Sequence, residues 1–171
     1  TAPLEFDDSE VTPEISLKWS LSDDVSLFAA YKTGYKSGGF DNSALPSATL
    51  GNGDIGPLLY ESETGEGFEG GIKSMLMGGS LRLNATAFYY VYEDLQVQLF
   101  DAVNIQFTTF NAGELTTQGL EADFMWATAI EGLTINGAIA FTDAEYSKEF
   151  INNEGDDLNG RTPARTADMA G

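Results

Sequence analysis

Apolar and polar side chains alternate through residues 81–99. One parity is apolar from Leu81 to Leu99, and the other is polar from Arg82 to Gln98. A period of two is typical of a β-strand with one apolar and one polar face. Only Phe88, which is apolar on the polar parity, and Glu93, which is acidic on the apolar parity, break the alternation. Because strands of globular proteins usually run about 5–6 residues, so long a two-faced strand favours a barrel wall that crosses a membrane.

The same alternation predicts strands on both sides of this one. They cover residues 14–21, 25–36, about 60–77, 81–99, about 105–127 and 133–146, with a last partial strand after Pro163. Short turns are predicted at 22–24, 78–79 and 131–132, whereas 37–58 and 147–160 are long connections without periodicity and 101–104 is an intermediate one. Short turns at one end of consecutive hairpins and long loops at the other are typical of bacterial outer-membrane barrels.

These elements predict an all-β fold. We expect an antiparallel up-and-down meander of six to seven long strands that forms part of a transmembrane β-barrel and is an open, curved sheet if alone. Because the smallest bacterial barrels have about eight strands, residues 1–171 are interpreted as a partial barrel domain. The alternative is a soluble β-sandwich that serves as a binding or adhesion module. It would bury the same apolar face in a core between two sheets.

Aromatic and basic residues are consistent with the membrane interpretation. Trp19 and Trp126 lie on the apolar parity shortly before short turns, and Tyr31 and Tyr35 lie on the same face toward the long-loop end. These are the places of two aromatic girdles, although a sandwich core would also accept the rings. Five basic residues share the polar parity: Lys18, Lys32, Lys36, Lys73 and Arg82. A lipid-facing Lys or Arg near the midplane would cost roughly 2–4 kcal/mol.

Composition excludes several classes of function. The chain carries 27 acidic and 8 basic residues, for a formal net charge of −19, which argues against a nucleic-acid partner. It contains no Cys and no His, so thiol nucleophiles, histidine bases, disulfides and the usual zinc sites are excluded. No apolar run approaches the roughly 18 residues of a transmembrane helix. We predict no catalytic set, no metal site and no cofactor.

Two acidic features have an alternative chemical interpretation. Glu121 and Asp123 share a face roughly 7 Å apart, which is compatible with the carboxylate pair of a glycosidase. The E-x-D-x-x-E motif of jelly-roll glycosidases would place its third acid where Trp126 stands, so the motif does not match and the enzyme hypothesis is disfavoured. We expect these acids to face a lumen and to meet a plug or water. Residues 152–159 offer oxygen ligands for Ca²⁺ but lack EF-hand spacing, so a solvated acidic loop is predicted.

Several segments, taken in order, resemble the C-terminal barrel part of TonB-dependent outer-membrane receptors. They are 31–40 (YKTGYKSGGF), 60–64 with 69–74, 87–96, 111–113 and 119–121. Their order and spacing cover about residues 11–165, and Tyr35 stands where the family pattern has Phe.

The resemblance implies a large barrel filled by an N-terminal plug, with ligand captured by external loops. It further implies uptake driven by the inner-membrane TonB complex, and a place in the outer membrane of a Gram-negative bacterium among lipid and lipopolysaccharide. Residues 1–171 contain no plug and no terminal aromatic residue, so we interpret them as a fragment that alone transports nothing. The expected ligand is a small, scarce nutrient, siderophore-like or other.

Residues on the predicted loops and on the lumen face are candidates for ligand contact. They are Lys36, Phe40, Tyr60, Tyr90, Tyr92, Gln96, Glu121 and Asp123. Aromatic side chains in the loops are suited to grip a ligand. The acidic long-loop side argues against an anionic ligand that is held by charge alone.

Overall fold

The computed structural model describes residues 6–41, 59–101, 106–148, 150–151, 155–163 and 169–170. The strands within them are β1 Glu14–Ser20, β2 Val25–Lys36, β3 Gly39–Phe40, β4 Leu59–Tyr60, β5 Glu63–Leu76, β6 Leu81–Asp101, β7 Gln106–Ala127, β8 Thr134–Tyr146 and β9 Met169–Ala170. A short 3-10 helix, Met77–Gly79, joins β5 to β6. The described part of the chain holds no helix long and apolar enough to cross a membrane.

The main sheet is an antiparallel meander, as predicted. Its seven strands lie in the order β1-β2-β5-β6-β7-β8-β9, so each long strand pairs with the next long strand along the chain. Within the described residues the sheet is not closed into a barrel, since its edge strands β1 and β9 do not pair with each other. The small β3–β4 pair forms a separate two-stranded sheet at the edges of the predicted connection 37–58, where periodicity gave no sign of it. Strand β6 ends at Asp101, two residues beyond the prediction.

The strand register joins the apolar positions of neighbouring strands into continuous rows. The middle row starts at Trp19, at the short-turn end of β1, and crosses the later strands nearer their middles, at Leu27, Ile72, Ala85, Ala122 and Ile139. The large side chains of this row stay uncovered, since Trp19 is 67% exposed and Ile139 is 42% exposed. Among the described residues no second sheet packs face to face on these rows, so the sandwich alternative lacks its core.

The apolar face forms a band with aromatic borders. From Leu81 to Tyr89 the band spans roughly 26 Å of strand, which a tilt of about 40° projects to roughly 20 Å, near the band height of membrane barrels. Trp19 and Trp126 lie at the short-turn border, and Tyr31 packs on Phe68 at the other, with ring centroids 4.9 Å apart. Tyr35 was predicted for this second border. It lies farther out, opposite Thr64, and its hydroxyl oxygen is buried.

The turn after β5 shows why glycine stands there. Gly78 and Gly79 adopt φ of 65° and 93°, and Met77 before them has φ of 54°. Side chains rarely adopt this left-handed region, but glycine enters it at no steric cost. The predicted turn at 78–79 is therefore confirmed, and it sets the pairing of Leu76 with Leu81.

Candidate functional site

The polar face of the sheet is the first part of the candidate site. All five predicted basic residues lie on it, as the register of β1, β2, β5 and β6 shows. Lys32 Nζ lies 2.6 Å from Glu69 Oε1, and the Tyr90 hydroxyl donates to Glu69 Oε2 at 2.9 Å. Three neighbouring strands thus place one carboxylate between an ammonium and a phenol. The Tyr90 hydroxyl is therefore engaged in a hydrogen bond within the sheet.

The acids of β7 have different surroundings, although they lie two residues apart. Asp123 accepts from Asn84 Nδ2 at 3.0 and 3.2 Å and lies 3.4 Å from Arg82 Nη2. Both members of the ion pair are nearly half exposed, so the pair orients the carboxylate more than it stabilises the fold. Glu121 lies between Thr86 and Ala140 and is exposed. It is therefore the more openly presented of these two carboxylates.

Aromatic rings on the polar face lie over glycines of the neighbouring strand. A Cβ at Gly65 would come within 2.9 Å of Tyr92 Cδ1, and one at Gly119 within 2.7 Å of Phe88 Cζ. Tyr90 covers Gly67 in the same way. Since a ring that lies on a glycine projects little from the sheet, these pairs leave space beside the wall.

This pairing explains the two residues that break the alternation of β6. Phe88 fills the place that the missing side chain of Gly119 leaves on the polar face. Glu93 lies beyond the apolar band, where it pairs with Glu114 in register and lies 3.3 Å from Lys148 Nζ. Neither exception places a charge or a gap in the apolar rows.

The second part of the candidate site lies at the long-loop end, around Gln96. Gln96 Nε2 lies 2.9 Å from the carbonyl oxygen of Ser37, 3.1 Å from that of Glu61 and 3.3 Å from that of Lys36. Its backbone N–H donates to Glu63 Oε2 at 2.9 Å. The donors of this side chain are thus engaged inside the protein.

Asn111 on β7 contacts the same connection between β2 and β5, at Glu61. Its Nδ2 donates to the carbonyl of Glu61 at 2.9 Å and to that of Asp94 at 2.7 Å, and its Oδ1 accepts from the Glu61 N–H at 2.7 Å. The amide therefore pairs with one residue of the loop as a neighbouring strand would. Asn111 was not among the predicted site residues, although the 111–113 segment contributed to the family resemblance.

The remaining loop candidates lie at the two ends of the connection between β2 and β5. The Lys36 ammonium is 3.8 Å from Glu63 Oε2 and largely exposed. Phe40 pairs with Leu59, and its ring meets the edge of Phe6 at 6.2 Å. Tyr60 pairs with Gly39.

The structure thus divides the predicted residues into two groups. Lys36, Phe40, Tyr60 and Gln96 gather at the long-loop end. Tyr90, Tyr92, Glu121 and Asp123 lie deeper on the polar face. Ligand contact by any of them stays a prediction.

A cluster around Lys148 lies outside the apolar band. Lys148 Nζ is 2.7 Å from Glu114 Oε2, and the Ser147 hydroxyl donates to Glu114 Oε1 at 2.7 Å. The hydrogen bonds from Lys148 and Ser147 hold the pKa of Glu114 below its ordinary value. The bonds to Glu114 and Glu93 raise the pKa of Lys148.

These shifts predict how the start of the loop at 147 depends on pH. The stability that ionised Glu114 gives this segment is complete above the ordinary carboxyl pKa of about 4.3. It disappears as pH falls through the lowered pKa of Glu114. We expect hydrogen exchange of residues 145–148, corrected for intrinsic rates, to accelerate below about pH 4. The E114Q variant should lose most of this pH dependence, and E145Q should keep it. An equal response in both variants would contradict the assignment.

No metal centre is evident in the described ranges, where no group of three or more acidic side chains is placed to hold a cation. Of the acidic loop considered for Ca²⁺, residues 152–154 lie outside the described residues. Within the rest of that loop, Asp157 Oδ1 accepts from the backbone N–H of Asn159 at 2.9 Å. That carboxylate therefore orders its own turn.

Comparisons with known proteins agree with this geometry. Residues 2–171 match the family model "TonB dependent receptor-like, beta-barrel". A curated relative is the metal-pseudopaline receptor CntO of Pseudomonas aeruginosa. It is 28% identical over 138 residues, which cover 81% of this chain and 17% of that receptor. The chain therefore spans less than a fifth of the length of that relative.

Solved structures show the same fold at low identity. The ferric yersiniabactin uptake receptor FyuA of Yersinia pestis superposes with a TM-score of 0.64 at 19% identity, over 91% of this chain and 21% of that one. The ferric preacinetobactin receptor BauA of Acinetobacter baumannii superposes with a TM-score of 0.61 at 22% identity, over 92% of this chain and 21% of that one. With a family match along almost its whole length, the chain belongs to the TonB-dependent receptor-like β-barrel family.

Proposed function

We propose that this chain is a wall segment of an outer-membrane receptor that takes up a scarce nutrient by TonB-coupled active transport. The observation that carries the proposal is the division of one seven-stranded sheet into an uncovered apolar face and a polar face. Among the described side chains of β1, β2 and β5–β8, no outward-facing position between the row of Leu81 and the row of Leu120 carries a charge. A wall between lipid and a polar lumen needs this division.

The proposed partners follow from the two faces. The apolar face would contact outer-membrane lipid, and the exposed loops beyond it would lie among lipopolysaccharide. The polar face would meet a plug domain located elsewhere in the same polypeptide. That plug would connect the receptor to the TonB complex. The exposed carboxylate of Glu121 suits a basic or hydrogen-bond-donating group of such a plug.

The proposed ligand is a metal chelate of the siderophore type. The related proteins are, by their names, receptors for metal-pseudopaline, ferric yersiniabactin and ferric preacinetobactin. Loop-end aromatic side chains such as Phe40 and Tyr60 would contact the organic part of the chelate. A polyanionic ligand held by charge alone is disfavoured, because acidic residues outnumber basic ones 27 to 8.

Uptake by the complete gene product tests this proposal. The protein would be produced in a Gram-negative host that lacks its own siderophore receptors, and a panel of siderophores loaded with radioactive iron would be supplied. We expect uptake of at least one member above the empty-vector control, and loss of that uptake when TonB is deleted. No TonB-dependent uptake of any chelate would overturn the ligand class. Recovery of the protein in solution without detergent would overturn the membrane location itself.

A further inference from the structure

The base of the connection between β2 and β5 is held by side chains from other strands. The connection leaves β2 at Lys36 and returns to β5 at Glu63, and its described ends pair as the β3–β4 hairpin. Gln96 bonds to both ends, since its amide meets the carbonyls of Lys36 and Ser37 at the start and that of Glu61 at the end. Its sequence separation from these partners is 35 to 60 residues.

Asn111 holds the returning end through both polar atoms of its amide. It exchanges hydrogen bonds with the Glu61 peptide in both directions, at 2.7 and 2.9 Å. Its third bond reaches the carbonyl of Asp94, which has a φ of 53°. The position opposite Asp94 is skipped in the β6–β7 register, which passes from Glu93 directly to Leu95. Asn111 therefore joins the loop to an irregular point of β6.

Further contacts reinforce the same junction from other directions. Asp8, from the segment before β1, accepts a hydrogen bond from the Ser62 hydroxyl, and the Gly38 N–H donates to Ser62 Oγ at 3.3 Å. Asp41 is buried and accepts from the backbone N–H of Thr109 on β7. The hydrogen bond from the Ser62 hydroxyl lowers the pKa of Asp8 below its ordinary value, so the carboxylate stays an acceptor to a lower pH than an ordinary aspartate.

We propose that Gln96 and Asn111 form a loop-base clamp that makes the β3–β4 hairpin and the outer β6–β7 ribbon one mechanical unit. The ribbon is the stretch beyond Glu93 and Glu114, which β5 no longer accompanies. In this account Gln96 positions the loop base, because its amide donors are engaged by backbone carbonyls of that base. A push on the hairpin would thus be transmitted to β6 and β7, whatever ligand the receptor carries.

Hydrogen exchange on the complete gene product tests the clamp. Q96M and N111L remove the amides while keeping side-chain size and adding no charge. We expect exchange of residues 37–41 and 59–62 to accelerate by about tenfold or more in each variant, with the paired amides of β5 and β6 unchanged. The matched control is Q98M, because within the described residues Gln98 bonds inside the ribbon, to Thr109 Oγ1 at 3.3 Å. Parent-like exchange of both segments in Q96M and N111L would overturn the proposal.

A second measurement needs no change to the clamp. This chain has no cysteine of its own, so L59C and Q98C can carry spin labels on the hairpin and the ribbon, once any cysteine elsewhere in the gene product is replaced. One narrow distance distribution is expected if the two pieces move together. A broad or bimodal distribution in the membrane-inserted receptor would show that they move separately, and the clamp would be refuted even if Q96M fails to fold.

Discussion

Replacing Ala122 by arginine is expected to lower the free energy of unfolding of the membrane-inserted receptor by about 2–4 kcal/mol. Ala122 lies in the middle apolar row, between Ala85 on β6 and Ile139 on β8. An arginine there would have to leave its charge near the bilayer midplane. The measurement is urea unfolding of the complete gene product in lipid vesicles, read as the shift of the midpoint at constant slope.

The control for this variant is A140R. Ala140 is the same residue type on the adjacent strand, but it lies on the polar face directly opposite Glu121. An arginine at that position meets water and a carboxylate, so we expect at most a small change in unfolding free energy. Equal destabilisation by A122R and A140R would mean that the two faces of the sheet do not differ in environment, and the membrane assignment would fail.

Gly67→Ala is expected to destabilise the same receptor by about 1–3 kcal/mol, although it adds a single carbon. Gly67 is buried, and a Cβ there would meet the Tyr89 carbonyl oxygen and the Tyr90 ring far inside contact distance. The ring has to move, and its hydroxyl then loses the hydrogen bond to Glu69. The same unfolding measurement reports the loss, and Y90F shows how much of it belongs to the hydrogen bond alone.

Gly34→Ala is the matched control for the glycine substitution. Gly34 lies on the same face of neighbouring β2, and a Cβ there would meet nothing within 4 Å. We expect G34A to leave stability unchanged or to raise it by about 0.4–1 kcal/mol through the unfolded chain. If G67A were as stable as G34A, the aromatic cover over the glycines would have no energetic role.

The strands were predictable because their signal is local. Alternation along one segment reports which face is apolar, and it located β2 at 25–36 and β7 within one residue at its start. It also assigned all five basic residues to the polar face. Short strands carry no such signal, so β3 and β4, with two residues each, went unseen.

The candidate site was less predictable, because its contacts depend on register. Whether Phe88 disrupts the polar face or fills a gap in it depends on Gly119. Gly119 lies 31 positions away along the chain and directly opposite Phe88 in the sheet. Likewise, nothing adjacent to Asn111 in the sequence shows that its amide meets Glu61. Gln96 stood out only as a polar residue on the lumen parity, and its partners come from a connection that periodicity leaves undefined.

The most direct test of the central claim is cysteine scanning along β6 of the membrane-inserted receptor. Spin labels placed singly from Leu83 to Tyr90 would be assayed for collision with oxygen, which concentrates in lipid, and with a polar nickel complex. The account predicts a period of two, with oxygen favoured at Leu83, Ala85 and Ala87 and the nickel complex at Asn84 and Thr86. Loss of that period, or oxygen favoured on both parities, would contradict a wall between lipid and lumen.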